Sequence, residues 1–164
     1  LIVIHASARW KFKEIPAATW AKIIDELKIK KFDVVITGSD RDMLNNFNIV
    51  DRCGLLKPVL TQNFSFADTA TLYSIADVVL TIDSMSIHLA SAVKTPVLSI
   101  FGPTNEKNWG PWQGKYKVIG LSAKDNKIFA CRPCGQDGCE GSKVSQCLVQ
   151  IDPKMVLREA LKLI

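Results

Sequence analysis

At 164 residues and 18.2 kDa, with 48% apolar and 23% charged residues, the chain has the size and balance of one globular domain with a real core. No apolar run is long enough to span a bilayer, which excludes a helical membrane protein over this length. The formal charge of +5 is carried by scattered lysines, without the basic stripe and interleaved aromatics of a nucleic-acid-binding protein; it suits anionic small molecules or an anionic membrane surface.

Leu1 opens inside an apolar run without an initiator Met, so the chain reads as a segment of a longer protein, and no signal peptide is recognisable. Leu1–Ile4 predicts a short strand, followed by a loop from His5 to Ile15. Pro16 then opens a helix whose apolar residues Trp20, Ile23, Ile24 and Leu27 fall at i, i+3, i+4 and i+7. Asp33–Thr37 is the next strand pattern, closed by Gly38-Ser39, and a polar helical segment runs to about Cys53, where Gly54 stops it. Val59-Leu60 predicts a short strand. Asp68–Ala76 predicts a helix with Leu72, Ile75 and Ala76 inward.

Asp77–Ile82 is a strand, Ser84–Val93 a helix, Val97–Phe101 a strand closing on Gly102-Pro103, and Tyr116–Leu121 a weaker strand. Trp109, Pro111 and Trp112 form an aromatic loop, expected to pack over the sheet edge, with the cleft as the alternative. Residues 122–151 carry four cysteines and little periodicity. Asp152-Pro153 caps and opens a closing helix at 153–164, with Leu157, Ala160, Leu161 and Ile164 on one stripe. Strands that are apolar throughout are buried on both faces. Their alternation with helices predicts an α/β fold, a doubly wound, Rossmann-like parallel sheet in a single domain over 1–164. Ligands of such sheets bind at the carboxyl ends of the strands, here the loops His5–Ile15, Gly38–Asp42 and Ile82–His88.

The last of these loops carries the sharpest signal. A buried strand ending in Asp83-Ser84 and turning straight into a helix aims free backbone N–H groups and the positive end of the helix dipole at one point, a ready phosphate site. His88, four residues after Ser84, lies above it on the same helix face, and Asp83 can reach sugar hydroxyls. Helix capping and a half-buried histidine are the plainer alternative.

The cysteines Cys131, Cys134, Cys139 and Cys147 stand as C-x2-C-x4-C-x7-C. The first pair has zinc-knuckle spacing, and four thiolates can complete a tetrahedral site. Reduced structural thiols without metal are the preferred reading, and Cys53 reads as a packed or half-exposed thiol instead of a reactive one.

Four stretches together resemble the glycosyltransferase family that includes the lipopolysaccharide heptosyltransferases, family 9. They are His5-Ala6-Ser7-Ala8-Arg9-Trp10 with Lys13, Pro16 and Trp20; Asp83-Ser84-x-x-x-His88; Phe101-Gly102-Pro103-Thr104; and Cys147-Leu148 with Ile151-x-Pro153. The match is to the C-terminal, nucleotide-sugar-binding half of the two-domain GT-B fold. It implies inverting transfer of heptose from ADP-heptose to the lipopolysaccharide inner core, by a cytoplasmic enzyme in peripheral contact with the inner membrane. It implies no metal and no other cofactor.

Site roles follow from the same resemblance. Lys13 is implied to pair with the leaving diphosphate and Ser7 to hydrogen-bond a phosphate oxygen, with Arg9 a second positive charge or a structural ion pair. Asp83 and Ser84 are implied to contact the sugar and diphosphate, and His88 to support the diphosphate from the next turn. Asp40 corresponds to an acidic residue near the ribose, with Asp42 its rival. Met85 stands where the family has glycine, so either the diphosphate sits differently or the Met side chain covers base or sugar. The family's catalytic base belongs to the N-terminal acceptor domain, so this segment is expected to bind donor and to hold no catalytic residue. An epimerase-like GT-B enzyme and a non-catalytic, zinc-stabilised module are the competing readings.

Overall fold

The computed structural model describes residues 1–121 and 129–164 of the chain. Its centre is a six-stranded, wholly parallel sheet: β1 (Ile2–His5), β2 (Val34–Thr37), β3 (Val59–Leu60), β4 (Val78–Ile82), β5 (Val97–Ile100) and β6 (Tyr116–Ile119), in the order β3-β2-β1-β4-β5-β6. The α-helices are α1 (Ala17–Ile29), α2 (Met43–Arg52), α3 (Phe66–Ser74), α4 (Met85–Ala92), α5 (Glu106–Trp109), α6 (Gln146–Val149) and α7 (Pro153–Leu161). The predicted fold class is therefore present, with the chain order reversing between β1 and β4. That reversal is the switch point, where the loops leaving two adjacent strands part and open a crevice.

Successive side chains of a strand face opposite sides, so β1 supplies both layers. Ile2 and Ile4 join Trp20, Ile23, Ile24, Leu27, Ile49 and Val156 beneath α1, α2 and α7. Val3 joins Tyr73, Val79, Leu89, Ala90 and Val97 beneath α3 and α4. Each fully buried Ile, Leu or Val contributes about 1.5–3 kcal/mol relative to exposure, so these two layers hold the sheet.

Helix caps are legible in the residues that make them. Ser65 and Asp68 form a reciprocal capping box at α3, and Asp152 accepts from Lys154 N–H at α7. Two inward faces differ from expectation. The helix predicted to reach Ala76 ends at Ser74, which leaves Ile75 in the cap and 68% exposed, while Tyr73 is fully buried in its place. On α7 the buried stripe is Met155, Val156, Glu159 and Ala160, continued by Leu163; Leu157 and Leu161 are half-buried and Ile164 is exposed. The helix is turned so that it packs against α1, with the Glu159 carboxylate held by Lys162 and Arg158 at its edge. Residues 122–128 of the predicted cysteine-bearing segment lie outside the described residues.

Candidate functional site

The switch point is occupied by polar side chains from separate βα units. Register pairs His5 of β1 with Thr37 of β2 and Thr81 of β4, so the loops after these three strands start at one level. The loop after β1 closes through a short 3-10 turn, Lys11–Lys13, and is braced from three sides. Glu14 accepts from Ala8 N–H at 3.2 Å and from Lys11 Nζ at 3.0 Å. Ser145, far along the chain, donates its hydroxyl to the Phe12 carbonyl at 2.7 Å. These braces aim Lys13 inward, where its Nζ lies 2.8 Å from Asp83 Oδ2.

Asp83 ends the fully buried strand β4 and is itself buried. Its Oδ2 also accepts from the Thr104 hydroxyl. A carboxylate removed from water needs such partners, since an unpaired buried charge costs several kcal/mol. Ser84 follows in extended backbone as the cap of α4 and accepts from Ser86 N–H. His88 stands exposed one turn further on.

Lys13, Asp83, Ser84 and His88 line one cleft of about 620 Å³, together with His5, Ser7, Arg9, Trp10, Asp42, Met85 and Trp109. A second, smaller cleft of about 280 Å³ adjoins it, lined by Phe64, Phe66, Thr69 and Ser86, and shares His5, Ser39, Asp42 and Met85 with the first. The larger cleft is rich in charge and the smaller carries exposed aromatic rings. An anion with a flat apolar end matches that division.

Of the predicted site residues, Ser7, Lys13, Asp83, Ser84, Met85 and His88 all line the larger cleft. Ser7 is buried and accepts from Asn45 Nδ2 at 3.0 Å. Arg9 lies 5.2 Å from the Trp10 ring centre, a cation–π contact on the wall of the cleft. Asp40 is not among the lining residues of either cleft, whereas Asp42 lines both. The reason is local: Asp42 turns back to accept from Ser39 N–H at 2.7 Å and Ser39 Oγ at 2.8 Å, a capping box that swings its carboxylate to the cleft and leaves Asp40 exposed. Gly38 makes this turn possible, since a Cβ there would meet Asn46 Nδ2 at 2.7 Å.

Trp109 and Trp112 do not pack over the sheet edge. Both are more than half exposed, and Trp109, at the end of the single turn α5, lines the larger cleft. Sequence reasoning named Thr104 without a role and missed the Phe64 and Phe66 pair. The signal for the pair was two aromatics bracketing the helix-capping Ser65 at a strand-to-helix turn.

The half-buried His5 imidazole is pushed below its ordinary value by desolvation, against the opposing charge of Asp42 and the polar Ser7 main chain. All five cysteines are free thiols, with Cys131, Cys134 and Cys139 exposed and Cys147 buried. Cys139 Sγ accepts from Gln146 N–H at 3.4 Å. Burial pushes the Cys147 thiol up to about 11, against the lowering effect of Arg132. Among the described residues no group of three or more His, Cys, Asp or Glu side chains is arranged to hold a metal ion. Likewise, no described helix is long and apolar enough to cross a membrane.

The model of glycosyltransferase family 9 (heptosyltransferase) matches residues 1–139. Lipopolysaccharide heptosyltransferase 3 of Escherichia coli is 34% identical over 114 residues, covering 68% of this chain and 34% of that protein. Lipooligosaccharide heptosyltransferase 2 of Campylobacter jejuni subsp. jejuni serotype O:2 is 31% identical over 106 residues, covering 64% of this chain and 28% of that protein. The structure of E. coli ADP-heptose lps heptosyltransferase II superposes with a TM-score of 0.82 at 22% identity, covering 99% of this chain and 45% of that one, a likeness of fold. The chain spans about a third of the length of the curated relatives it matches.

Proposed function

The chain belongs to glycosyltransferase family 9, and from that premise we propose that it is the donor-binding half of a cytoplasmic heptosyltransferase that moves heptose from ADP-heptose to the lipopolysaccharide core. The observation that carries the reading is the meeting of Lys13, Asp83, Ser84 and His88, from two βα units, in one cleft at the switch point. In this reading the diphosphate lies in the larger cleft and the adenosine in the smaller.

The chemistry required is the stabilisation of charge that grows on a departing nucleoside diphosphate. Lys13 and the N-terminal turn of α4 supply it as cation and oriented amides. Asp83 has the wrong sign for a phosphate, so its place is beside the sugar hydroxyls, with Lys13 between it and the diphosphate. The Lys13–Asp83 contact of 2.8 Å in the free protein then pre-sets both side chains for their two partners. Thr104 keeps the Asp83 carboxylate turned toward the cleft after Lys13 is shared with phosphate. Asp42, on the seam between the clefts, is the acidic group for the ribose, and Met85 with Phe64 and Phe66 covers the base. The nucleophile's base is assigned to the acceptor domain, which also carries the approach to the membrane surface.

Calorimetric titration with ADP, and with UDP as control, tests the reading. Binding of ADP in preference to UDP is expected, and Lys13→Ala is expected to weaken it about a hundredfold, the loss of a charge-assisted contact to phosphate. Equal indifference to both nucleotides would refute donor binding.

A further inference from the structure

Beneath the two clefts runs a line of buried hydroxyls that the functional reading has not used. Thr37 Oγ1 lies 3.2 Å from His5 Nδ1 and 3.3 Å from the Tyr73 hydroxyl, which lies 2.8 Å from Ser86 Oγ. Thr37, Tyr73 and Ser86 are all at most 1% exposed. Ser86 N–H in turn points to Ser84 Oγ at 3.4 Å, the hydroxyl that caps α4 in the larger cleft. At the other end His5 closes β1 and leads directly into Ser7 and the loop that carries Lys13. The line therefore joins both walls of the cleft from below and crosses β1, β2, α3 and α4.

We infer that His5 is a positioning residue for the donor: its imidazole ties the loop after β1 to the first turn of α4 through Thr37, Tyr73 and Ser86, and so fixes the spacing in which the diphosphate is gripped. The inference rests on the donor-binding reading of the same cleft. Tyr73 lines neither cleft, so its hydroxyl acts on the ligand only through this line.

Counting protons gives the line a direction. Each hydroxyl has one hydrogen to donate. Ser86 donates to Tyr73, Tyr73 to Thr37 and Thr37 to His5 Nδ1 when that nitrogen carries no proton. This run requires an uncharged ring, because a charged imidazole has donors at both nitrogens. Burial favours the uncharged form. Asp42, from the turn after β2, is the charged group that opposes it. Thr37 of β2, Thr81 of β4, Tyr73 of α3 and Ser86 of α4 are neutral neighbours, and the Lys13–Asp83 pair across the cleft is self-compensated. If the ring takes up a proton, Nδ1 must donate to Thr37, whose own hydrogen then goes to the Ile4 carbonyl at 3.3 Å, so the His5–Thr37 link reverses while Tyr73 still donates to Thr37.

Two measurements test this on the whole chain, with ADP as probe. The first compares ADP affinity of the wild type with Tyr73→Phe, a change that removes one oxygen outside the ligand's reach. A loss of about tenfold is expected, the effect of a broken buried hydrogen bond passed to the site. The second is nitrogen NMR of the imidazoles, simple here because the chain has only two histidines, with His88→Asn giving the assignment. The expected spectrum shows Nδ1 of His5 unprotonated and hydrogen-bonded at about neutral pH, and a changed Nδ1 shift in Tyr73→Phe. ADP binding by folded Tyr73→Phe within about twofold of wild type would overturn the inference while leaving donor binding intact. A protonated Nδ1 in the wild type would overturn it even if Tyr73→Phe does not fold. Failure of the wild type to bind ADP would overturn donor binding, and this inference with it.

Discussion

In the cleft, side chains expected to meet the ligand are held by groups from other elements: Lys13 by Asp83, Asp83 by Thr104, Ser7 by Asn45 and His5 by Thr37. The segment from Cys131 to Cys147 is built differently. Its chain doubles back through five left-handed residues, Gly135, Gly138, Glu140, Gly141 and Lys143, and the bond made to a thiol, Gln146 N–H to Cys139, is local. Cys147 packs into the core, and the polar contacts with the rest of the molecule pass through other residues. The buried Arg132 donates to the Gly102 carbonyl and pairs with Glu106 at 3.2 Å, Ser145 holds the Phe12 carbonyl, and Leu148 fills the space beside Gly102. The contrast separates two uses of polar residues. Convergence from distant elements marks the candidate site, whereas the cysteine-bearing segment serves as a buttress whose anchors, with the packed Cys147 and not the three exposed thiols, support the loops above.

The contrast is tested hardest by removing an anchor. Arg132→Ala strips the Gly102 carbonyl of its partner and leaves Glu106 unpaired, and Gly102 belongs to the loop that presents Thr104 to Asp83. A stability loss of about 3 kcal/mol is expected in denaturant unfolding. A loss under about 1 kcal/mol would show that the segment is not a buttress.

Acid should act on the two ends of the molecule in separate ranges. His5 in the cleft has a folded-state value below its ordinary 6.5, so its stabilising effect is complete above that pH and is lost as pH falls toward and through the lowered value. Glu159 on α7 is held down to about 2 by hydrogen bonds from Lys162 and Arg158, with Lys117 adding its charge. Its contribution is complete above 4.5 and is lost only as pH falls through about 2. The slope of stability against pH from His5 is bounded by one proton, about 1.4 kcal/mol per pH unit. Unfolding at stepped pH checks this: His5→Gln should abolish the onset below 6.5 and leave the Glu159 loss in place.

Ser145→Ala removes the bond to Phe12 at 2.7 Å and slackens the turn carrying Lys13. About 1 kcal/mol of stability and roughly a threefold loss of ADP affinity are expected, smaller than for Arg132 because one neutral hydrogen bond is at stake. Unchanged ADP affinity in a destabilised variant would break the link between buttress and cleft.

What the residues disclosed in advance follows the same division. β4 and α4 were legible because an apolar run between turn residues has one outcome when buried on both faces, and Asp83, Ser84 and His88 are close enough in sequence to be placed by that outcome alone. Lys13 needed the resemblance, because nothing local distinguishes it from the solvated Lys11. The choice between Asp40 and Asp42 was legible in principle from Ser39-x-x-Asp42, a capping box. Thr104 with Asp83, and Tyr73 with Thr37, were not legible, since partners 21 and 36 residues apart are paired only by the sheet order. Ile75 was misassigned because its helix ends two residues earlier than its apolar pattern suggests.

The smallest expected effect is on the cysteines, and it cuts most sharply between the two regions. Cys131, Cys134 and Cys139 are exposed, and Cys147 and Cys53 are buried with thiols pushed up to about 11. Iodoacetamide at about neutral pH should therefore modify three thiols readily and the other two only on unfolding, since the thiolate is the nucleophile. If the segment acts through Arg132, Ser145 and Leu148, replacing the three exposed cysteines by serine changes stability by less than about 0.5 kcal/mol and leaves ADP affinity alone. A loss of several kcal/mol, or protection of all four cysteines with one zinc per chain by elemental analysis, would mean that the thiols organise this segment, and the buttress would then be a metal knuckle instead of a set of anchors.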